Sequence, residues 1–320
     1  MPFGCILRVK KVLKVHKRIL GYTDMKISEI GLGCASYWGK KIFSEAQAIK
    51  IVHTALDKGI NFLDTGHSYS DGNAEHRLGK ALIDITNKND LCISSKAGTR
   101  IHSRGKLYKD FSPKWIEESC HLSIKNIGLD HLPLFQLHGP AISDLNDELL
   151  DKLLRLKQEG TIGAIGINTF DDDVIEHIIH LKVFDFIMLD YNILTQHREP
   201  VIDRLYDKGI GVIAGAALAD SLYSNRIFKI RGLKDLWYLA RALKNFRDKL
   251  VKGRSFQFVN HIENMTGAQI AIAYVLNNPK ISTTVFGTTS ETHLLENLQG
   301  QSMTLSTELI DRIREADKLM

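Results

Sequence analysis

The stretch Ala46-Gln-Ala-Ile-Lys-Ile-Val-His-Thr-Ala-Leu-Asp-Lys-Gly-Ile-Asn-Phe-Leu-Asp64 contains the unit from which the chain is built. Positions Ala46, Ile49, Val52, His53 and Leu56 recur at three and four, which predicts one face of a helix. Lys58-Gly59 then closes that helix, because glycine takes the left-handed conformation past the last turn without cost. The run Ile60–Asp64 that follows is short, apolar and suited to a strand. Similar runs stand at Glu29–Gly33, Leu91–Lys96, Leu132–His138, Gly163–Asn168, Phe184–Asp190, Gly211–Ala216 and Thr283–Gly287. Glu159-Gly160 and Lys208-Gly209 repeat the stop signal before the next strand. Strands alternating with helices pair in parallel through right-handed crossovers. Eight of them close a barrel, so the predicted fold class is α/β, a single (β/α)8 TIM barrel.

Two segments interrupt the alternation. His16–Ser28 precedes the first barrel strand and holds Gly21 and Asp24, which predicts an N-terminal hairpin over the barrel bottom. Asp220–Thr266 is a long insertion after strand 7, with a helical run of its own at Leu236, Leu239, Ala240, Leu243 and Phe246. Residues 1–16 read as a basic flexible leader and 17–320 as the barrel domain. Residues 1–18 carry six basic side chains and no acidic one, out of 42 basic and 37 acidic in the chain. Without them the remainder is close to neutral, so no basic face for nucleic acid is expected. A frayed cationic terminus is the plain reading of that leader, and a membrane-surface arm or transit segment the sharper one. No run reaches the ~20 apolar residues of a membrane helix. Cys5, Cys34, Cys92 and Cys120 are scattered, as reduced thiols in a cytoplasmic protein would be. Oligomeric state is left open, and a monomer is compatible with the sequence.

Four polar residues fall at or just beyond the ends of three consecutive strands. Asp64 ends the second in Asn61-Phe-Leu-Asp-Thr-Gly, and Tyr69 follows in Ser68-Tyr-Ser-Asp-Gly. Lys96 ends the third in Ile93-Ser-Ser-Lys-Ala-Gly, and His138 the fourth in Phe135-Gln-Leu-His-Gly-Pro. The carboxyl ends of barrel strands form the active-site face, so the four are expected in one cleft. A phenol is a poor acid at its ordinary pKa of ~10, and a neighbouring ammonium lowers that value. A carboxylate keeps the lysine charged and aimed, and an imidazole can orient a carbonyl by hydrogen bonding. Carbonyl reduction by a nicotinamide hydride needs this set. Singly, each has a plainer role: a turn cap, a solvated charge, a packing tyrosine, a rim histidine.

The order Asp64, Tyr69, Lys96, His138 has Gly31-Leu-Gly-Cys before it and Gly72-Asn-Ala-Glu-His-Arg-Leu-Gly-Lys-Ala-Leu directly after the tyrosine turn. This pattern resembles the aldo-keto reductase family, from about Lys17 to near the C-terminus. The resemblance implies an NAD(P)H-dependent oxidoreductase that reduces an aldehyde or ketone, with Tyr69 as general acid, Lys96 and Asp64 as its tuning partners and His138 orienting the carbonyl. It places Asn168 and Thr169 at the nicotinamide carboxamide. It aligns Leu189 with a sixth-strand glutamine and Gly215 with a seventh-strand aromatic that stacks on nicotinamide. Gly287 and Thr288 would lie near the adenosine phosphate with His293, and Glu296 and Asn297 near the adenine. Many relatives carry Lys and Arg where this chain has Gly287 and His293. NADP is the implied cofactor by family habit, and NAD stays open.

Other motifs are weak. Gly31-Leu-Gly-Cys-Ala-Ser lacks the third glycine of the dinucleotide fingerprint. His177 and His180 have no third ligand, so no metal is expected. Ser290 reads as a helix cap, and Asp171-Asp172-Asp173 as the start of the fifth helix. Tyr37 and Trp38 are candidate pocket walls. Two other classes remain at this point. One is a cofactor-binding regulatory barrel with little turnover, and the other is an aldolase-like barrel using Lys96 for a Schiff base.

Overall fold

The computed structural model describes residues 15–101, 106–218 and 252–318. Eight parallel strands close into the expected barrel. In chain order they are β3 (Ile30–Gly33), β4 (Phe62–Asp64), β5 (Cys92–Ala97), β8 (Leu132–His138), β9 (Ile162–Asn168), β10 (Phe186–Asp190), β11 (Gly211–Gly215) and β12 (Ile281–Phe286). Each predicted strand is present, with ends shifted by no more than two residues. Helices α1 (Glu45–Asp57), α2 (Asn73–Ala81), α3 (Pro113–Ile127), α4 (Asp147–Gln158), α5 (Asp172–His180), α6 (Glu199–Asp207), α7 (Gly267–Asn277) and α8 (Glu291–Gln299) follow the strands one for one. A further helix, α9 (Thr307–Lys318), follows them.

Periodicity located α1 but turned it slightly. The buried residues are Ala48, Ile51, Val52 and Ala55, while Ala46 is exposed and Ile49 and Leu56 pack at the margin. Small alanines let the helix approach the sheet closely, and the larger side chains flank the contact. Asp171 caps α5 by accepting from the amides of Asp173 and Val174, as its acidic start suggested.

The barrel interior is filled from below. Strands β1 (Lys17–Ile19) and β2 (Lys26–Ser28) form the predicted hairpin, with Lys17 opposite Ser28. Its Leu20 and Ile27 join Phe62, Leu134, Phe186, Met188 and Ile213 in one apolar plug. Glycines admit the large rings. A Cβ on Gly31 would lie 2.1 Å from the Phe62 ring, and one on Gly166 2.2 Å from that of Phe186. Arg18 pins the hairpin underneath, donating to the carbonyls of Leu276, Asn278 and Ile281 and pairing with Glu29 at 2.7 Å. Residues 1–14 of the basic leader lie outside the described residues, but Val15 is buried in the core and the His16 carbonyl accepts from the Glu29 amide. Of the insertion after β11, residues 219–251 also lie outside them. Its described end carries a 3-10 turn, Gln257–His261, over buried Phe256 and Val259.

Strand β5 is followed by a second hairpin that periodicity did not announce, β6 (Thr99–Ile101) with β7 (Leu107–Lys109). It leaves the barrel at the end that carries Lys96. No helix among the described residues is long and apolar enough to cross a membrane.

Candidate active site

The apolar plug ends in a polar layer at the carboxyl ends of β4, β5 and β8. Alternation along a strand turns Ser94 and Lys96 to one face, and likewise Gln136 and His138. Gln136 Nε2 donates to Ser94 Oγ at 2.6 Å and to Asp64 Oδ1 at 3.3 Å. Above them the Lys96 ammonium meets both Asp64 oxygens, at 2.5 and 2.6 Å, and the Thr65 carbonyl at 2.9 Å. Both side chains of the pair are almost wholly removed from solvent. Burial alone disfavours the ammonium, but Asp64 and then Tyr69 outweigh it and raise the Lys96 pKa. Burial also pushes the Asp64 carboxyl up, against the pull of Lys96. Two oxygens so close to one ammonium, together with the upward shift of Lys96, place the proton on the lysine.

Tyr69 sits on the turn between β4 and α2. Ser70, Asp71 and Gly72 all have positive φ, so three consecutive left-handed residues reverse the chain and start the helix. Gly66 has no side chain, and a Cβ there would be 3.1 Å from the Tyr69 ring, so the phenol lies flat on this backbone. The turn is braced by Ser70 Oγ donating to the Ser36 carbonyl at 2.9 Å. Lys96 Nζ lies 5.1 Å from the centroid of the Tyr69 ring. The His138 ring stands perpendicular to that of Tyr69, with centroids 5.5 Å apart. All four predicted residues therefore converge. Burial, reinforced by the Lys96 and Lys109 ammoniums, pushes the His138 imidazole down to about 3. It is neutral at physiological pH.

That shift predicts an acid sensitivity with a definite sign. Unfolded, His138 takes a proton below its ordinary value of 6.5, whereas folded it resists until about 3. Between those values the unfolded chain binds more protons, so stability is lost as pH falls through this window. His138→Gln should flatten the fall of melting temperature between about pH 6.5 and 4 relative to wild type. Parallel curves for the two proteins would show that the imidazole is not held neutral.

At the opposite wall, β9 and β10 bring Asn168 level with Met188. Asn168 Nδ2 donates to the Met188 carbonyl at 3.2 Å, as does the Thr169 amide at 3.1 Å. Thr169 Oγ1 accepts from the Asp171 amide, so its hydroxyl is partly spent on the loop. Here the sequence alignment needs correction. Leu189 packs outward in the layer between barrel and helices, while Met188 points inside. Methionine, not leucine, therefore holds the inward position of the sixth strand. A Cβ on Gly215 would be 3.3 Å from both Met188 Cγ and the Leu189 carbonyl oxygen, so Met188 packs against the seventh strand where a side chain would otherwise stand. An amide beside a polarizable thioether suits the carboxamide and ring of a nicotinamide.

The adenosine end is set by β12 and α8. Gly287 and Gly33 approach so closely that a Cβ on either would lie 3.4 Å from the other's main chain. Thr288 Oγ1 bonds the Ser290 main chain, and Ser290 Oγ accepts from the His293 amide, which makes Ser290 the expected cap. His293 is exposed, Glu296 half-buried and Asn297 buried. Lys50 reaches this helix start but is paired with Glu291 at 2.8 Å.

Trp38 is not a pocket wall. It is buried, with Nε1 donating to the Ala48 carbonyl at 3.2 Å. Buried Arg77 ties down the same loop through the carbonyls of Trp38, Lys40 and Phe43. Tyr37 remains at the partly exposed edge. Ser94, Gln136, Met188 and Lys109 are the site residues that sequence reasoning missed. For the first two a signal existed: polar side chains at inward positions of otherwise apolar strands. No group of three or more possible metal ligands occurs among the described residues.

Residues 29–318 match the model of the aldo/keto reductase family. The chain is 29% identical over 297 residues to the uncharacterized oxidoreductase YqkF of Bacillus subtilis, covering 92% of this chain and 94% of that one. It is 25% identical over 318 residues to the NADH-specific methylglyoxal reductase of Escherichia coli, covering 92% and 96%. Among solved structures it resembles the holo form of the aldo-keto reductase AKR11C1 from Bacillus halodurans. That match has a TM-score of 0.78 at 27% identity and covers 94% of this chain and 96% of the other.

Proposed function

Since this chain belongs to the aldo/keto reductase family and is an oxidoreductase of the NAD(P)H-dependent carbonyl type, we propose that Tyr69 is its proton donor. The observation that carries the proposal is the buried Lys96–Asp64 pair held beneath the Tyr69 ring. When the Tyr69 hydroxyl gives its proton to a carbonyl oxygen, the ammonium stabilises the phenolate left behind. Asp64 keeps the ammonium in place, and Gln136 keeps Asp64 in place. Neutral His138 orients the same carbonyl oxygen through an imidazole N–H, which a ring held unprotonated can do without competing for the role of acid. Asn168 and the Met188–Gly215 wall would hold the nicotinamide of a bound dinucleotide, which would supply the hydride.

At the adenosine end Gly287, Thr288, His293, Glu296 and Asn297 form the proposed cradle. Family habit favours NADP(H), but Lys50, which reaches this turn, is already paired with Glu291. A 2′-phosphate thus gains little there, and NADH is expected to serve as well. The substrate is a small aldehyde or ketone. The test is oxidation of NADH and NADPH against a panel of aldehydes, ketones and quinones, with a parallel fluorescence titration of each cofactor. Turnover with either supports the reading. Tight binding with no turnover across the panel would favour a regulatory barrel, and no binding at all would sink both.

A further inference from the structure

Lys109 closes the β6–β7 hairpin over the end of β8. Its ammonium donates to the main-chain oxygen of His138 and lies 5.7 Å from the centroid of the Phe111 ring. A Cβ on Gly139 would stand 3.3 Å from the same nitrogen, and Gly139 has a φ of +63°. Glycine at that position thus leaves the approach to the ammonium open. Although Lys109 as a residue is exposed, its nitrogen is tucked in far enough that burial lowers its pKa.

Lys96 is neutralised by Asp64, and His138 is uncharged. Among the described residues no carboxylate forms an ion pair with Lys109. Asp144 opposes it from a distance, with one oxygen already accepting from the Ala141 amide. Among the described residues the Lys109 ammonium therefore stands beside the imidazole without a paired carboxylate. A partly desolvated ammonium lacking a counter-charge is costly, and an arriving anion removes that cost. One of its three hydrogens goes to the His138 carbonyl, and two are left to donate.

We propose that Lys109 determines specificity by receiving a carboxylate on the substrate, so that the chain prefers oxo-acids and aldehyde-acids to neutral carbonyl compounds. This rests on the reading of Tyr69 and His138 as the reacting end of the pocket. A carbonyl held there directs its substituent past Gly139 toward the ammonium.

The test compares 4-carboxybenzaldehyde with 4-methylbenzaldehyde, which share a shape but differ in charge. Wild type should favour the acid in kcat/KM by about tenfold to a hundredfold, the range of one charge-assisted hydrogen bond. Added salt should erode that preference. Lys109→Met should bring the ratio near one through a higher KM for the acid, and Lys109→Arg should restore it. Because Lys109 also ties the hairpin to β8, restoration by arginine separates charge from hairpin support. The same ratio in wild type and Lys109→Met overturns the proposal. Calorimetry with 4-(hydroxymethyl)benzoate needs no turnover and decides the matter separately. Weaker binding to Lys109→Met than to wild type supports the carboxylate site even where neither aldehyde is reduced, an outcome that would remove only the assignment of Tyr69. Unchanged binding rejects the site.

Discussion

Replacing Tyr69 with phenylalanine should lower kcat for any carbonyl the wild type reduces by about 10² to 10⁴-fold, the usual contribution of a positioned general acid. That corresponds to about 3–5 kcal/mol of transition-state stabilisation. The loss is expected in kcat and kcat/KM alike, because proton donation is an interaction of the transition state. Cofactor affinity, read by fluorescence titration, should stay within about twofold, since the proposed cofactor wall lies on β9 to β11, across the barrel from the Tyr69 turn. The substitution removes one oxygen and keeps the ring that packs on Gly66 and faces His138, so folding is preserved. Activity that survived unchanged would mean that the proton comes from elsewhere. His138 would be a poor candidate even then, because its imidazole is held neutral.

The second large effect concerns Lys96. Lys96→Met removes the cation and leaves the Asp64 carboxylate in a buried layer with only neutral side-chain donors, Gln136 at 3.3 Å and Ser94. Breaking a buried ion pair from one side costs about 3–5 kcal/mol, because the remaining charge has neither solvent nor a counter-charge. Denaturant unfolding should show that loss. The double variant Lys96→Met/Asp64→Leu removes both charges and should recover most of it, as apolar replacements of buried pairs commonly do. Turnover should remain abolished in both. Stability that returns without activity would show that the pair serves the chemistry of Tyr69 rather than the fold. If the double variant were no more stable than the single one, the pair would instead be a structural element of the barrel.

Much of this protein was legible before any coordinates. The eight strand runs appear because a buried parallel strand is short and apolar, and the glycines after α1, α4 and α6 appear because a left-handed glycine is a common way to end a helix. The convergence of Asp64, Tyr69, Lys96 and His138 followed from chain direction alone, since parallel strands put all their carboxyl ends on one side. The errors were of another kind. Leu189 and Met188 are neighbours, and a slip of one residue in a strand exchanges the inner face for the outer. Trp38 looked like a wall because nothing local distinguishes an aromatic beside a pocket from one in the core.

Local spacing accounts for the alternation of elements, the closure into a barrel and the end of the barrel on which the polar residues gather. Each of these depends on periodicities and turn residues only a few positions apart. The tertiary structure alone decided which side chains support that chemistry. Gln136 reaches Asp64 across 72 residues, Lys109 reaches the His138 carbonyl across 29, and Arg18 grips the start of β12 across more than 250. Such contacts leave no trace in local spacing, because barrel closure and loop packing bring the partners together.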